Sequence, residues 1–382
     1  DYCERYYCLR GDQLRQQCYL QLHVTRRCLN GCETCYYRLR NEAPHGRREL
    51  GVAEILSIVD RWRTAADRCE MPFSLDLTGG DPLLHPGLWE VLPALREGGI
   101  DFGIKGNPDR LNRESVERLV HFGVKRFQLS VDGMEATHDA LRVCPGLFQR
   151  SIEAIALLGE AGITPVVRYT ISRANRDDLT RLQELLRARA LPCVLAVSPL
   201  VNFAESSGML PIEELLSTYR EHVRAFERHL AQGTRYRLAF KDHLHFPLLH
   251  RMGVLSDEFV RACVDGRMSR RCTMFDHAYI VDVDRSLKLC QKLPQAVLGD
   301  VDQWDPADLL RGRVARYPFG SSVCPQCESC YYRRQCYGCP ARRKAADETA
   351  CPLFVPNGRP PARHPQWHPC SRREQEKSNS NG

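Results

Sequence analysis

From residue 19 onward the apolar positions follow two rhythms in turn. Tyr19–Thr25 largely alternates apolar and polar residues from Leu20, the pattern of a strand. Phe73–Thr78, Phe102–Lys105, Arg126–Val131, Thr164–Ile171 and Cys193–Val197 are predicted strands of the same kind. Between them, helices are predicted from about Val52 to Ala66 and over Leu88–Glu97, Arg113–Phe122, Phe148–Ala161 and Asp177–Ala188. Six strands joined by helical crossovers imply a parallel sheet with helices outside and ligands at the strands' C-terminal ends. Ile212–Leu230 predicts one more long helix, stopped near Gly233-Thr234. Residues 1–18 are polar and irregular. From Pro352 the chain turns to Pro, Arg, His and Ser, a poor core former that predicts a partly ordered tail.

The first predicted strand runs into Arg27-Cys28-Leu29-Asn30-Gly31-Cys32-Glu33-Thr34-Cys35-Tyr36-Tyr37, three cysteines within eight residues. So short a loop wraps its thiolates round one metal centre, zinc or an iron–sulfur cluster. Structural zinc wants four ligands, and no fourth Cys or His lies within a tight turn of Cys35. A four-iron cluster with one iron left open fits better; a zinc knuckle or three unrelated thiols are the alternatives on this loop alone.

Composition narrows the class. There are nineteen cysteines, many at metal-ligand spacing and odd in number, which fits disulfides poorly and predicts a reducing cytoplasm. No apolar run is long enough to cross a membrane, and Asp1-Tyr2-Cys3 carries no signal-peptide pattern. The net charge of +7 is modest, partly from Arg359, Arg363, Arg372, Arg373 and Lys377, and no basic stripe interleaved with aromatics argues for nucleic acid. Cys3, Cys8 and Cys18 are too widely spaced for a cluster loop and read as surface or packing thiols; Cys370 carries no signal.

The cysteine loop resembles the signature of the radical SAM superfamily, with the aromatic Tyr36 after the third cysteine and Thr34 in the usual aromatic place. Gly79-Gly80-Asp81-Pro82 resembles that family's G-G-E-P loop. The resemblance implies that Asp81 accepts the ammonium of S-adenosylmethionine beside Gly79 and Gly80, which as glycines let backbone come close to a ligand. A second run, Ser130-Val-Asp132-Gly133 then His138-Asp139…Arg142…Gly146-Leu-Phe148, resembles radical SAM enzymes that modify peptides. It makes Ser130, Asp132 and Arg142 candidate cofactor contacts, with the Arg142 fork suited to the methionyl carboxylate. The plainer reading has Asp132 and Asp139 capping a helix and Arg142 bridging to them. Arg168 and Asn175 are weaker site-lining candidates, and Cys144 is a candidate hydrogen-atom donor or a packed thiol. The family's T-N-G is absent; Lys105-Gly106-Asn107-Pro108 stands there.

Cys327-x2-Cys330-x5-Cys336-x2-Cys339, with Cys351 beyond, resembles the SPASM extension and its two auxiliary clusters. Carried over, one cluster takes Cys263, Cys272, Cys290 and Cys339, the other Cys327, Cys330, Cys336 and Cys351; Cys324 competes with Cys263 or Cys339. A zinc ribbon is the alternative. His243, His245 and His250 read as structural or surface residues.

The expected organisation is therefore an N-terminal segment (1–18), a partial (β/α)6 TIM-type barrel (19–235), a small cysteine-rich iron–sulfur domain (236–351) and a tail (352–382). The implied cofactors are three 4Fe–4S clusters and S-adenosylmethionine. The implied activity is hydrogen abstraction by a 5′-deoxyadenosyl radical, in order to oxidise or cross-link a ribosomally made peptide. A reductant such as flavodoxin or ferredoxin is the expected partner. Only 27 residues precede Cys28, too few for a fused peptide-recognition domain, so a separate recognition protein is expected. A dehydrogenase or epimerase acting on a sugar or alcohol is the second reading; an iron–sulfur electron carrier or zinc-stapled binding protein is the third.

Overall fold

The computed structural model describes residues 17–39, 49–201, 208–241, 244–265, 278–293, 296–312, 326, 329–332, 336 and 351–356. Its core is a parallel sheet: β1 (Cys18–Thr25), β2 (Phe73–Gly79), β3 (Asp101–Lys105), β4 (Arg126–Ser130), β5 (Thr164–Ile171), β6 (Val194–Pro199) and β7 (Arg237–Phe240). Helices α1 (Tyr36–Leu39) and α2 (Val52–Arg68) follow β1, and α3 (Leu88–Glu97) and α4 (Arg113–His121) follow β2 and β3. Next come α5 (Glu135–Arg142), α6 (Leu147–Glu160), α7 (Leu179–Ala188) and α8 (Ile212–Ala231). This is the expected partial barrel.

The six predicted strands are all present, and the sheet goes further at both edges. β7 extends it beyond β6. On the other side β8 (Ala278–Val281) pairs parallel with β1, and β9 (Ser286–Lys288) and β10 (Val297–Asp300) continue antiparallel. The strand that delivers the cysteine loop is therefore interior, hydrogen-bonded on both edges. Four-residue strands such as β7 and β8 are too short to show a period, and for that reason they escaped the pattern.

β1 sorts its residues by face. Leu20 and Leu22 stand in register with Leu75 and Leu77, and all four are wholly buried toward the helices. Each such side chain contributes about 2 kcal/mol by leaving water. The opposite face carries Tyr19, Gln21 and His23. There Lys105 bonds Tyr19, Gln21 and Asp76, and Arg126 reaches Asp76 as well. Burial pushes the Asp76 carboxyl up, but Lys105 and Arg126 outweigh it and hold the group below its ordinary value. Along β1–β4 the inner face of the sheet is thus polar and paired, whereas Val166, Val194, Ala196 and Ala239 make it apolar toward β7.

The C-terminal cysteine segment is clipped to α9 (His245–Arg251) and α10 (Asp257–Asp265). Buried His250 bonds the Tyr332 hydroxyl at 2.8 Å and Asp257 at 2.9 Å, Arg251 donates to the Pro352 carbonyl, and Cys330 bridges to Pro356. His245 is buried too, stacked on Phe240. Tyr332→Phe should cost about 1 kcal/mol by leaving His250 Nδ1 unpaired, read as a lower midpoint in thermal unfolding. His243 lies outside the described residues. Among those residues no helix is long and apolar enough to cross a membrane.

Candidate active site at the strand ends

The three-cysteine loop leaves the C-terminal end of β1 and is pressed against the turn after β2. Gly80 and Asp81 donate their backbone N–H groups to the Thr25 and Arg27 carbonyls at 2.7 and 2.6 Å. A Cβ on Gly79 or Gly80 would stand 2.0 or 2.1 Å from those same carbonyl oxygens, and Gly79 has φ of 137°. These glycines therefore permit the close approach of two backbone segments of the chain itself. The closeness expected from the sequence is present, but the neighbour is the cysteine loop.

Asp81 is fully buried. Its Oδ1 accepts from Leu83 N and Asn107 N, capping the turn over Pro82–Leu84, whereas Oδ2 is buried without a partner. Burial is the main cause that raises this carboxyl to about 7, so the protein on its own does not stabilise the charge. Asn30, between Cys28 and Cys32, is likewise buried with neither amide atom partnered. Two orphaned polar groups beside three half-buried thiols suit a polar, cationic occupant.

The sulfurs have donors aimed at them. Asn107 Nδ2 lies 3.3 Å from Cys28 Sγ, and Arg142 NH1 lies 3.5 Å from Cys32 Sγ. Burial pushes the Cys28 thiol up to about 11, and coordination to a cation is what would keep such a sulfur ionised at neutral pH. In its chemistry, three thiols with an amide and a guanidinium donor, the set suits an iron–sulfur centre, while among the described residues no three such side chains are already gathered round one metal position. Asn107, from the segment in the T-N-G position, was not singled out in the sequence; its place just past β3 is the signal that could have found it.

Arg142 ends α5, a helix that overlaps the start of the His138-to-Phe148 run. Its guanidinium is held by Asp132, whose Oδ1 accepts from Thr170 N, while Asn175 donates to the Asp132 carbonyl at 2.8 Å. Burial works against the charge on Arg142, but Asp132 and Cys32 outweigh it. The Asp132–Arg142 bridge of the plainer reading is present, and the same guanidinium reaches the cysteine loop. Glu33 N donates to the Leu141 carbonyl, a second tie between loop and helix. His138 accepts from Asp132 N through Nδ1, and burial, then Arg142, lowers it to about 4, a neutral anchor. Asp139 caps the turn into α6 through Phe148 N. Ser130 and Arg168 are register partners at the ends of β4 and β5. Cys144 Sγ accepts from Arg150 on α6, and Arg150 pairs with Asp109.

A buried hydrogen-bonded node joins this loop to the C-terminal sheet. His23 Nδ1 is 2.8 Å from both the Tyr36 and the Tyr37 hydroxyls. Its Nε2 is 2.7 Å from the Gln291 amide, next to Cys290. Tyr37 donates onward to Asp282, which pairs with Lys288 at 2.6 Å. Burial is the main cause that lowers His23 to about 4.

Of the candidate auxiliary ligands, Cys290, Cys330, Cys336 and Cys351 lie among the described residues, none of them in a disulfide. Cys272, Cys324, Cys327 and Cys339 lie outside the described residues, as does the Cys263 side chain.

The radical SAM superfamily profile matches residues 22–186. The AdoMet-dependent heme synthase of Methanosarcina barkeri is 24% identical over 349 residues, 85% of this chain and 91% of that protein. The sporulation killing factor maturation protein SkfB of Bacillus subtilis is 31% identical over 165 residues, 43% of this chain and 38% of SkfB. Streptococcus suis SuiB bound to S-adenosylmethionine shares the fold, with a TM-score of 0.63 and 15% identity over 88% of this chain and 77% of SuiB. SuiB bound to its precursor peptide SuiA gives a TM-score of 0.64 and 14% identity over 86% and 74%.

Proposed function

Given that residues 22–186 belong to the radical SAM superfamily, we propose that the chain is a SPASM-type enzyme that oxidises or cross-links a ribosomally made peptide. The observation that carries its chemistry is the buried, unpartnered Asp81 Oδ2 beside the three-cysteine loop. Cys28, Cys32 and Cys35 would hold a 4Fe–4S cluster, and Asp81 would accept the ammonium of S-adenosylmethionine, with Ser130, Asp132, Arg142 and Arg168 lining the remainder. When bound, cluster and cofactor supply a one-electron cleavage that yields a hydrogen-abstracting radical. The chain's own residues do the positioning. Asn107 braces Asp81 and Cys28 together, and Arg142, locked by Asp132, puts a cation against the Cys32 sulfur. Cys263, Cys272, Cys290 and Cys339 would hold one auxiliary cluster and Cys327, Cys330, Cys336 and Cys351 the other, in a reducing cytoplasm.

The peptide reading is supported by the similarity to SkfB and by the His138-to-Phe148 run. A small-molecule reading is favoured by one specific observation, the alignment to a heme synthase along 91% of that protein. Mass spectrometry after anaerobic turnover separates the two. A peptide from the same genomic neighbourhood that loses two hydrogens, or gains a cross-link, is the expected product. Heme formed from a porphyrin precursor, with every peptide unchanged, would replace this reading with the second.

A further inference from the structure

Toward the β7 edge of the sheet the residues again divide between two faces. Val167, Tyr169, Leu195, Val197 and Leu238 join the main core, whereas Val166, Val194, Ala196 and Ala239 form a separate apolar cluster. Arg168, Ser198 and Lys241 each follow a member of that small cluster by two residues, so alternation turns them to its side. Lys241 N donates to the Val197 carbonyl, which carries the pairing of β6 with β7 past Phe240 and makes Ser198 and Lys241 neighbours on adjacent strands. No member of the cluster is larger than valine, so the inner face leaves room above it.

Two polar groups stand over this floor. Ser198 is 1% exposed, and its Oγ has no hydrogen-bond partner. A buried hydroxyl in that state is costly, and a bound polar group would remove the cost. Lys241 is exposed, and its ammonium donates to Gln128 Oε1 on β4. Three strand spacings separate β4 from β7, about 14 Å on a flat sheet. The bond therefore shows that the sheet curls and that the ammonium reaches over its concave side. Charge on this half is one-sided. β5, β6 and β7, continued through Lys241, contain Arg168, Arg237 and Lys241 and not one acidic residue.

We propose that Lys241, with Ser198 and Gln128, binds a substrate carboxylate carried on a short methylene stem, the ammonium and hydroxyl donating to its oxygens and the apolar floor receiving the stem. The proposal rests on the function given above, which puts the cofactor at the strand ends with Ser130 and Arg168 lining it on β4 and β5. The β6–β7 end of the same face then falls to the substrate. A glutamate side chain of a peptide and a propionate arm of a porphyrin both present this chemistry, and the two are separable by experiment.

The test is anaerobic equilibrium dialysis of the reconstituted protein against two pairs of probes. One pair is a capped alanine pentapeptide with a central glutamate and its glutamine counterpart; the other is a tetrapropionate porphyrin and its methyl ester. The acid of at least one pair should bind about tenfold more tightly than its neutral counterpart. Lys241→Met should erase that preference and leave the neutral probe's affinity unchanged, Lys241→Arg should keep most of it, and Ser198→Ala should reduce it about threefold. A preference for the glutamate peptide assigns the carboxylate to a peptide; one confined to the porphyrin supports the site and moves the substrate to the small-molecule reading. The proposal is overturned if neither acid is preferred, or if the preference survives Lys241→Met. It is overturned equally if that variant loses the neutral probe as well, because the effect would then be structural. A Lys241-dependent preference in a protein that forms no 5′-deoxyadenosine with dithionite would instead refute the radical reading and leave the carboxylate site standing.

Discussion

Cys32→Ala should abolish 5′-deoxyadenosine formation outright. Of the three loop cysteines, Cys32 is the one touched by Arg142, and through Asp132 and Glu33 its neighbourhood is tied to α5. Two thiolates do not hold a four-iron cluster against loss. Iron should fall from about twelve to about eight atoms per chain, because the auxiliary sites draw on other cysteines. A drop to about four would mean that an auxiliary site depends on the loop. Unsubstituted protein with about eight would leave one auxiliary site incomplete, with Cys263 and Cys324 the first ligands to examine. Zinc in place of iron, with no deoxyadenosine, would leave a metal-stapled binding protein.

Asp81→Asn should have two effects of opposite sign. It removes the anionic acceptor for an ammonium in a buried site, and the affinity for S-adenosylmethionine should fall about a hundredfold or more, read by equilibrium dialysis with the reconstituted protein. The iron-free protein should become more stable. Burial raises the Asp81 carboxyl to about 7 in the folded chain, well above its ordinary value. The stability contributed by a raised carboxyl is full at pH below that ordinary value and is lost as pH rises through about 7. At pH 8 the unsubstituted iron-free protein therefore carries a penalty on the order of 4 kcal/mol that asparagine does not. Asparagine keeps the oxygen that accepts from Leu83 and Asn107. Thermal midpoints at pH 5 and pH 8 should show the variant gaining at both, and clearly more at the higher value. A variant less stable at both would mean that Asp81 is a structural cap and not a site held ready for a cation.

Strands with a clean period of two and helices with an apolar stripe were readable from the chain, and they place the cysteine loop, Asp81 and Ser130 at one end of one sheet. What escaped the reading did so for physical reasons. α5 spans only eight residues and buries only His138, too short a stretch to stand out as a separate helix in the sequence. β8 is four apolar residues that acquire meaning only beside β1, some 260 positions away. The glycines after β2 advertise close approach, but sequence alone does not say to what. Asn107 and His23 carry no motif; each becomes informative only when its partners are known, as His23 does once Tyr36, Tyr37 and Gln291 surround it.

The seat of β1 between β2 and β8 imposes an order on how the chain matures. As it emerges from the ribosome, all three loop cysteines are available early, and β2 can zip onto one edge of β1 after a closure of about fifty residues. The other edge stays bare until β8 has been made, and the Tyr37–Asp282 bond, 245 residues apart in sequence, cannot form sooner. Such a contact is slow to find and is entropically costly to close. In a nascent chain the loop thus passes through a stage in which it hangs from a half-paired strand, open to solvent and to whatever delivers iron. Completion of the C-terminal sheet closes that window.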